Sequence, residues 1–126
     1  EISECLVGSE MCIRDSPYTL VRDGQGYQSV THHIRREFLA SMDNASMEMI
    51  LTAFPPHSSS GTILPHPGEE FVWILEGTLN VTVDGTTHVM CAGDSIYFQS
   101  TYPHEWENKS GQVCKVLWVD NPPVHM

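Results

Sequence analysis

A chain of 126 residues has the length of one domain and can bury a core without disulfides or a structural metal. Sixteen acidic against six basic residues give a formal charge of −10 and a pI near 4.9, which excludes nucleic-acid binding by this polypeptide, because phosphate contacts need clustered lysine and arginine. No apolar run approaches the roughly 20 residues of a membrane-spanning helix and no signal-peptide pattern is visible, so a soluble, acidic single domain is expected.

The run Cys5-Leu6-Val7-Gly8-Ser9-Glu10-Met11-Cys12-Ile13-Arg14-Asp15-Ser16 resembles one translated reading frame of a common transposon sequencing adapter. Residues 1–16 are therefore read as an assembly artefact, disordered and outside the fold, with the natural gene continuing upstream of Pro17. Without them 12 acidic and five basic residues remain, and the cysteines fall from four to two. Cys91 and Cys114 carry no disulfide or zinc spacing and read as small buried hydrophobes in a reducing cytoplasm.

From Pro17 onward short strands alternate with turns. Tyr18 to Arg22 is β-prone and stops at Asp23-Gly24-Gln25-Gly26. Ile34 to Leu39 is read as strand, with a short helix as the alternative. Met47 to Phe54 is a strand closed by Pro55-Pro56, and His57 to Gly61 is loop chemistry. Phe71 to Leu75 is apolar on both faces, as in a strand covered on both sides. Thr78 to Val83 alternates and ends in Asp84-Gly85, a hairpin turn returning as Thr86 to Cys91. Ser95 to Gln99, His104 to Asn108 and Val113 to Val119 follow. Strands at this spacing predict an all-β sandwich or barrel.

Three residues concentrate the chemistry. His66 precedes Glu70 by four positions across Pro67-Gly68, a turn into a strand, and His104 follows Pro103 at the start of another. Two histidines and a carboxylate with open positions suit Fe(II), Mn(II) or Zn(II). The alternative is a polar cluster bonded to itself or to a ligand.

With these motifs in order, the chain resembles the cupin family. His66-x3-Glu70-x6-Gly77 resembles the first cupin motif and Gly93-Asp94-x9-His104-x3-Asn108 the second, the likeness running from about Met47 to Pro123. It implies a cupin-type double-stranded β-helix, a small antiparallel jelly-roll barrel. The first motif usually carries two histidines one residue apart; here His66 fills the second position and Leu64 the first. Ser58, Gln99 and Thr101 likewise replace a glycine, a proline and a glycine of the usual pattern. By this resemblance His66, Glu70 and His104 remain as an incomplete set for one divalent metal, and Leu64 enters the pocket as an apolar wall that favours an organic ligand.

Phe54-Pro55-Pro56, the Ser-Gly loop, His-Pro-Gly-Glu-Glu-Phe, Gly-Asp-Ser-Ile-Tyr-Phe and Asn121-Pro122-Pro123 resemble a narrower group, the C-terminal sensor domains of bacterial regulators with an XRE-type helix-turn-helix. That likeness implies a small-molecule effector, a homodimer, and DNA binding through a domain absent from this chain. A stand-alone metalloenzyme of dioxygenase or isomerase class is the alternative.

If Glu70 points into the barrel, so do Val72 and Ile74, and Phe71, Trp73 and Leu75 face outward, where core packing against the N-terminal strands is expected before a dimer contact. Trp106 shares the His104 face and is expected to line the pocket, while Trp118 reads as core. Arg35-Arg36 reads as a solvated basic pair, with a carboxylate clamp as the alternative. His32, His33, His57 and His88 read as surface residues.

Overall fold

The computed structural model describes residues 17–124; the adapter-like run and His125 lie outside them. The described residues form ten strands and no helix: β1 (Tyr27–Thr31), β2 (Ile34–Phe38), β3 (Glu48–Phe54), β4 (Ser58–Ser59), β5 (Glu69–Glu76), β6 (Thr78–Val83), β7 (Thr86–Cys91), β8 (Ser95–Gln99), β9 (His104–Asn108) and β10 (Cys114–Asn121). Six pair in the order β1-β2-β3-β10-β5-β8, and four as β4-β9-β6-β7, every ladder antiparallel. The all-β expectation holds, and β6 to β9 keep their expected bounds.

Period-two alternation decides which side chains meet between the sheets. On β3 the buried positions are Glu48, Ile50, Thr52 and Phe54; on β10 they are Cys114, Val116, Trp118 and Asp120. Val72 and Ile74 of β5 pack with Leu79 and Val81 of β6, Met90, Phe98 and Trp106 into one core. Each such aliphatic side chain contributes about 1.5–3 kcal/mol by leaving water. The Asp84-Gly85 turn has positive φ at both residues, 49° and 83°, the backbone of a tight two-residue hairpin. Gly77, between β5 and β6, sits at φ 84°, and a Cβ there would lie 2.8 Å from the Val113 carbonyl oxygen.

Three expectations are corrected. Tyr18 to Arg22 forms no strand: β-propensity is realised only against a ladder partner, and this segment pairs with none of the ten strands. Phe71, Trp73 and Leu75 do face outward, but among the described residues none covers them; they stay 50%, 47% and 40% exposed, because the N-terminal strands extend the sheet edgewise instead of folding over it. Cys114 is buried as expected, whereas Cys91 is exposed, since on the edge strand β7 it is the adjacent Met90 that points inward.

A candidate metal and ligand site in the barrel

Glu70 is carried inward by the second residue of β5, after a turn that only glycine makes without strain. Gly68 has φ 126°, and a Cβ there would fall 2.6 Å from the Asn121 carbonyl oxygen. The turn is tied to the end of β8: His66 N–H donates to Ser100 O and Ser100 N–H to Gly68 O, both at 2.9 Å. His104 opens β9, where its carbonyl accepts from Ile63 N–H at 2.8 Å. Residues far apart in the chain thereby converge.

Glu70 Oε2 lies 3.4 Å from His66 Nε2 and 3.2 Å from His104 Nε2, and the candidate ligand atoms of all three residues lie within 4.8 Å of one another. Glu70 and His104 are buried, and His66 keeps part of its ring at the cavity mouth. Glu70 is held at both oxygens: Ser100 Oγ donates to Oε2 at 2.7 Å and Trp118 Nε1 to Oε1 at 2.8 Å.

The far side of each imidazole fixes what this cluster can do. His104 Nδ1 is 2.9 Å from the Tyr102 carbonyl oxygen, and His66 Nδ1 is 3.3 Å from that of Pro67. A carbonyl only accepts, so each contact is a hydrogen bond only in the tautomer with the proton on Nδ1. In the neutral state both Nε2 atoms then aim lone pairs at a carboxylate oxygen that also offers lone pairs. Such an arrangement calls for a positive centre, either protons that make the rings imidazolium or a metal ion. The donor set fits a divalent cation, and the backbone carbonyls behind the rings are the kind of outer support that orients metal-bound histidines. His66, Glu70 and His104 could hold a metal.

The cluster forms one wall of a cavity of about 510 Å³ between the sheets. Trp106 lines it, its ring centroid 4.0 Å from that of Phe54. Leu64 does not. It is 79% exposed, and the adjacent Ile63, bridged to His104, is the residue that faces the cavity. The expectation that Leu64 enters the pocket is therefore corrected. Between His66 and Ile63 the chain is not a regular strand, and counting back by twos from His66 lands on the wrong residue.

Three further residues contribute: Ser100, which the sequence reading did not name, Trp118, read there as core, and Arg36, given there only as an alternative clamp with Arg35. Ser100 and Trp118 fasten Glu70, and Arg36 lines the cavity while Arg35 points to solvent, so the pair is split by strand alternation. Arg36 and Trp118 carry the period-two signal of their strands; Ser100 carries none. His32 is exposed but reaches the cavity rim. The motif residue Asn108 is structural: its Nδ2 donates to the carbonyls of Phe54, Pro55 and Gln112, and its Oδ1 accepts from Ser110.

Comparison with known proteins agrees with this architecture. The Cupin domain family matches residues 50–120. The chain is 29% identical over 79 residues to the HTH-type transcriptional regulator PuuR of Escherichia coli, an alignment covering 63% of this chain and 43% of that protein; the chain thus spans under half the length of the curated relative. Among solved structures it resembles the cupin domain of an XRE family transcriptional regulator from Enterobacter cloacae (TM-score 0.64, 19% identity, 72% of this chain and 98% of that one). It also resembles a predicted oxalate decarboxylase from Thermotoga maritima (TM-score 0.73, 20% identity, 83% and 100%). At these identities the structural likenesses establish the fold, and the family match extends over more than half of the sequence. The chain belongs to the Cupin domain family.

Proposed function

We propose that this chain is the effector-binding half of a bacterial transcriptional regulator, a cytoplasmic cupin sensor that takes a small molecule into the cavity beside His66, Glu70, His104 and Trp106. The observation that carries the reading is the cavity itself. Its volume of about 510 Å³ lies within the range of roughly 300–1,000 Å³ typical of small-molecule sites, and its walls combine aromatic faces with one convergent polar cluster. The similarity to a regulator supports the same reading. DNA contact would then belong to a domain outside this chain.

A second copy would cover the outer face of the six-stranded sheet. Along the registers, Tyr97, Phe71, Val119 and Met49 form one row and Trp73, Leu117 and Leu51 the next. Three of these, Tyr97, Phe71 and Trp73, are exposed together with Leu75, and clustered exposed apolar side chains of this kind mark interaction surfaces. Such a face on one sheet suits a two-fold pairing, each copy presenting the same patch.

A metal-dependent enzyme is the second reading, favoured by the convergence of Nε2 lone pairs on Glu70. His66, Glu70 and His104 would hold Fe(II), Mn(II) or Zn(II), and the ion would supply Lewis-acid polarisation of a bound oxygen. The two readings separate in one experiment: the purified chain is screened for compounds that raise its melting temperature, and each hit is recovered afterwards. A ligand returned unchanged supports the sensor; a ligand converted with Fe(II) or Mn(II) present supports the enzyme.

A further inference from the structure

Besides the histidine cluster, the cavity is lined by a cation, Arg36. On β2 the inward positions are Ile34, Arg36 and Phe38, and Arg36 pairs in register with Thr52 of β3, which pairs with Val116 of β10 and through it with Ile74 of β5. This row is core at one end, with Val116 and Ile74 fully buried, and ends at a half-buried guanidinium lining the cavity. Among the described residues Arg36 enters no ion pair. Burial lowers its pKa from the ordinary arginine value, yet a guanidinium remains charged at any physiological pH. A charge brought towards the interior without a partner is costly.

Resting on the ligand-binding reading above, we propose that the ligand carries a carboxylate that is seated on Arg36 beside Thr52, with its body against Phe54 and Trp106 and its far end towards His66 and His104. The guanidinium offers a planar fork that matches a carboxylate in two parallel hydrogen bonds. A carboxylate is favoured over a phosphate because the same cavity also contains Glu70 and Asp120. A dianion would meet their field with one guanidinium to offset it. Among the described residues no helix N-terminus is present to supply further N–H donors. Arg35, pointing the other way, takes no part.

The test uses matched probes with the 126-residue chain: hexanoate, benzoate and phenylacetate, their primary amides, hexylamine and benzylamine, and phenyl phosphate. Calorimetry is expected to find a carboxylate that binds at least tenfold more tightly than its amide, with Arg36→Gln losing about ten- to a hundredfold for the carboxylate and Arg36→Lys falling between. In parallel, phenylglyoxal labelling followed by mass spectrometry is expected to be slowed at Arg36 and unchanged at Arg35 when the carboxylate is present, a readout that needs no variant to fold. The proposal is overturned if no carboxylate outbinds its amide, if phenyl phosphate binds more tightly than benzoate, or if Arg36→Gln, folded by its melting curve, keeps full affinity. Amides or amines that bind while carboxylates do not would remove the anion site and leave the sensor reading standing. If no probe of any class binds, both fail.

Discussion

Trp118 and Glu70, 48 positions apart in the chain, are joined by a 2.8 Å hydrogen bond from the indole Nε1 to the carboxylate Oε1. With Ser100 on the other oxygen, this leaves Glu70 one orientation, in which Oε2 faces both histidines. A residue that a pattern reading assigns to the core therefore positions the site. Trp118→Phe keeps most of the ring but strands a buried acceptor, at a cost of about 1–3 kcal/mol. Urea denaturation should record that loss, and metal or ligand affinity should fall with it although no cluster residue has changed.

The cluster also predicts which neighbours accept a new ligand. Zn(II) or Mn(II) binding, read by calorimetry and by elemental analysis, should disappear in His104→Ala and Glu70→Gln. Ile63→His should strengthen it, since residue 63 faces the cavity, whereas Leu64→His should leave it unchanged because Leu64 points to water. Strengthening by Leu64→His alone would mean that this segment is placed differently.

Much of the barrel could be read from residue order, and the reasons are local. Thr78 to Val83 alternates, Asp84-Gly85 accepts the left-handed backbone, and Thr86 to Cys91 returns, so that hairpin is fixed by near neighbours. His66, Glu70 and His104 were identifiable from their chemistry and spacing, and they converge as expected. Where Trp118, read as core, and Arg36, read with Arg35 as a basic pair or a clamp, stand relative to the site depends on pairing at long range. Trp118 and Arg36 become site residues through the registers of β10 with β5 and of β2 with β3, which alternation within one strand does not determine. Leu64 was misplaced because an irregular segment around Pro65 breaks the period of two.

The outer face makes its own prediction. Sedimentation should find a dimer for the wild-type chain and a monomer for Trp73→Glu, in which a charge stands in the middle of the apolar rows. The cavity opens between the sheets and not on this face, so ligand affinity should be kept within about twofold, the spread expected of distant independent sites. A wild-type monomer would remove the dimer from the account.

Of the four cysteines, the two among the described residues, Cys91 and Cys114, should behave oppositely. Burial, with Glu76 adding to it, pushes the Cys114 thiol from 9.0 up to about 11, so iodoacetamide should label exposed Cys91 in the native protein and reach Cys114 only after unfolding. Between pH 9 and about 11 the unfolded chain has released this proton and the folded chain retains it. Stability should therefore fall as pH rises through that window, by on the order of 1–2 kcal/mol, and be unaffected by this group below it. Cys114→Ala should flatten that part of the pH profile.

The most direct measurement is a thermal-shift screen of small metabolites against the wild-type chain and His104→Ala, each hit being recovered and identified by mass spectrometry. The account predicts compounds that stabilise the wild type, lose most of that effect in His104→Ala, and come back chemically intact. Compounds that stabilise both proteins equally would place binding outside the cavity, and hits returned as products would contradict the sensor reading in favour of an enzyme.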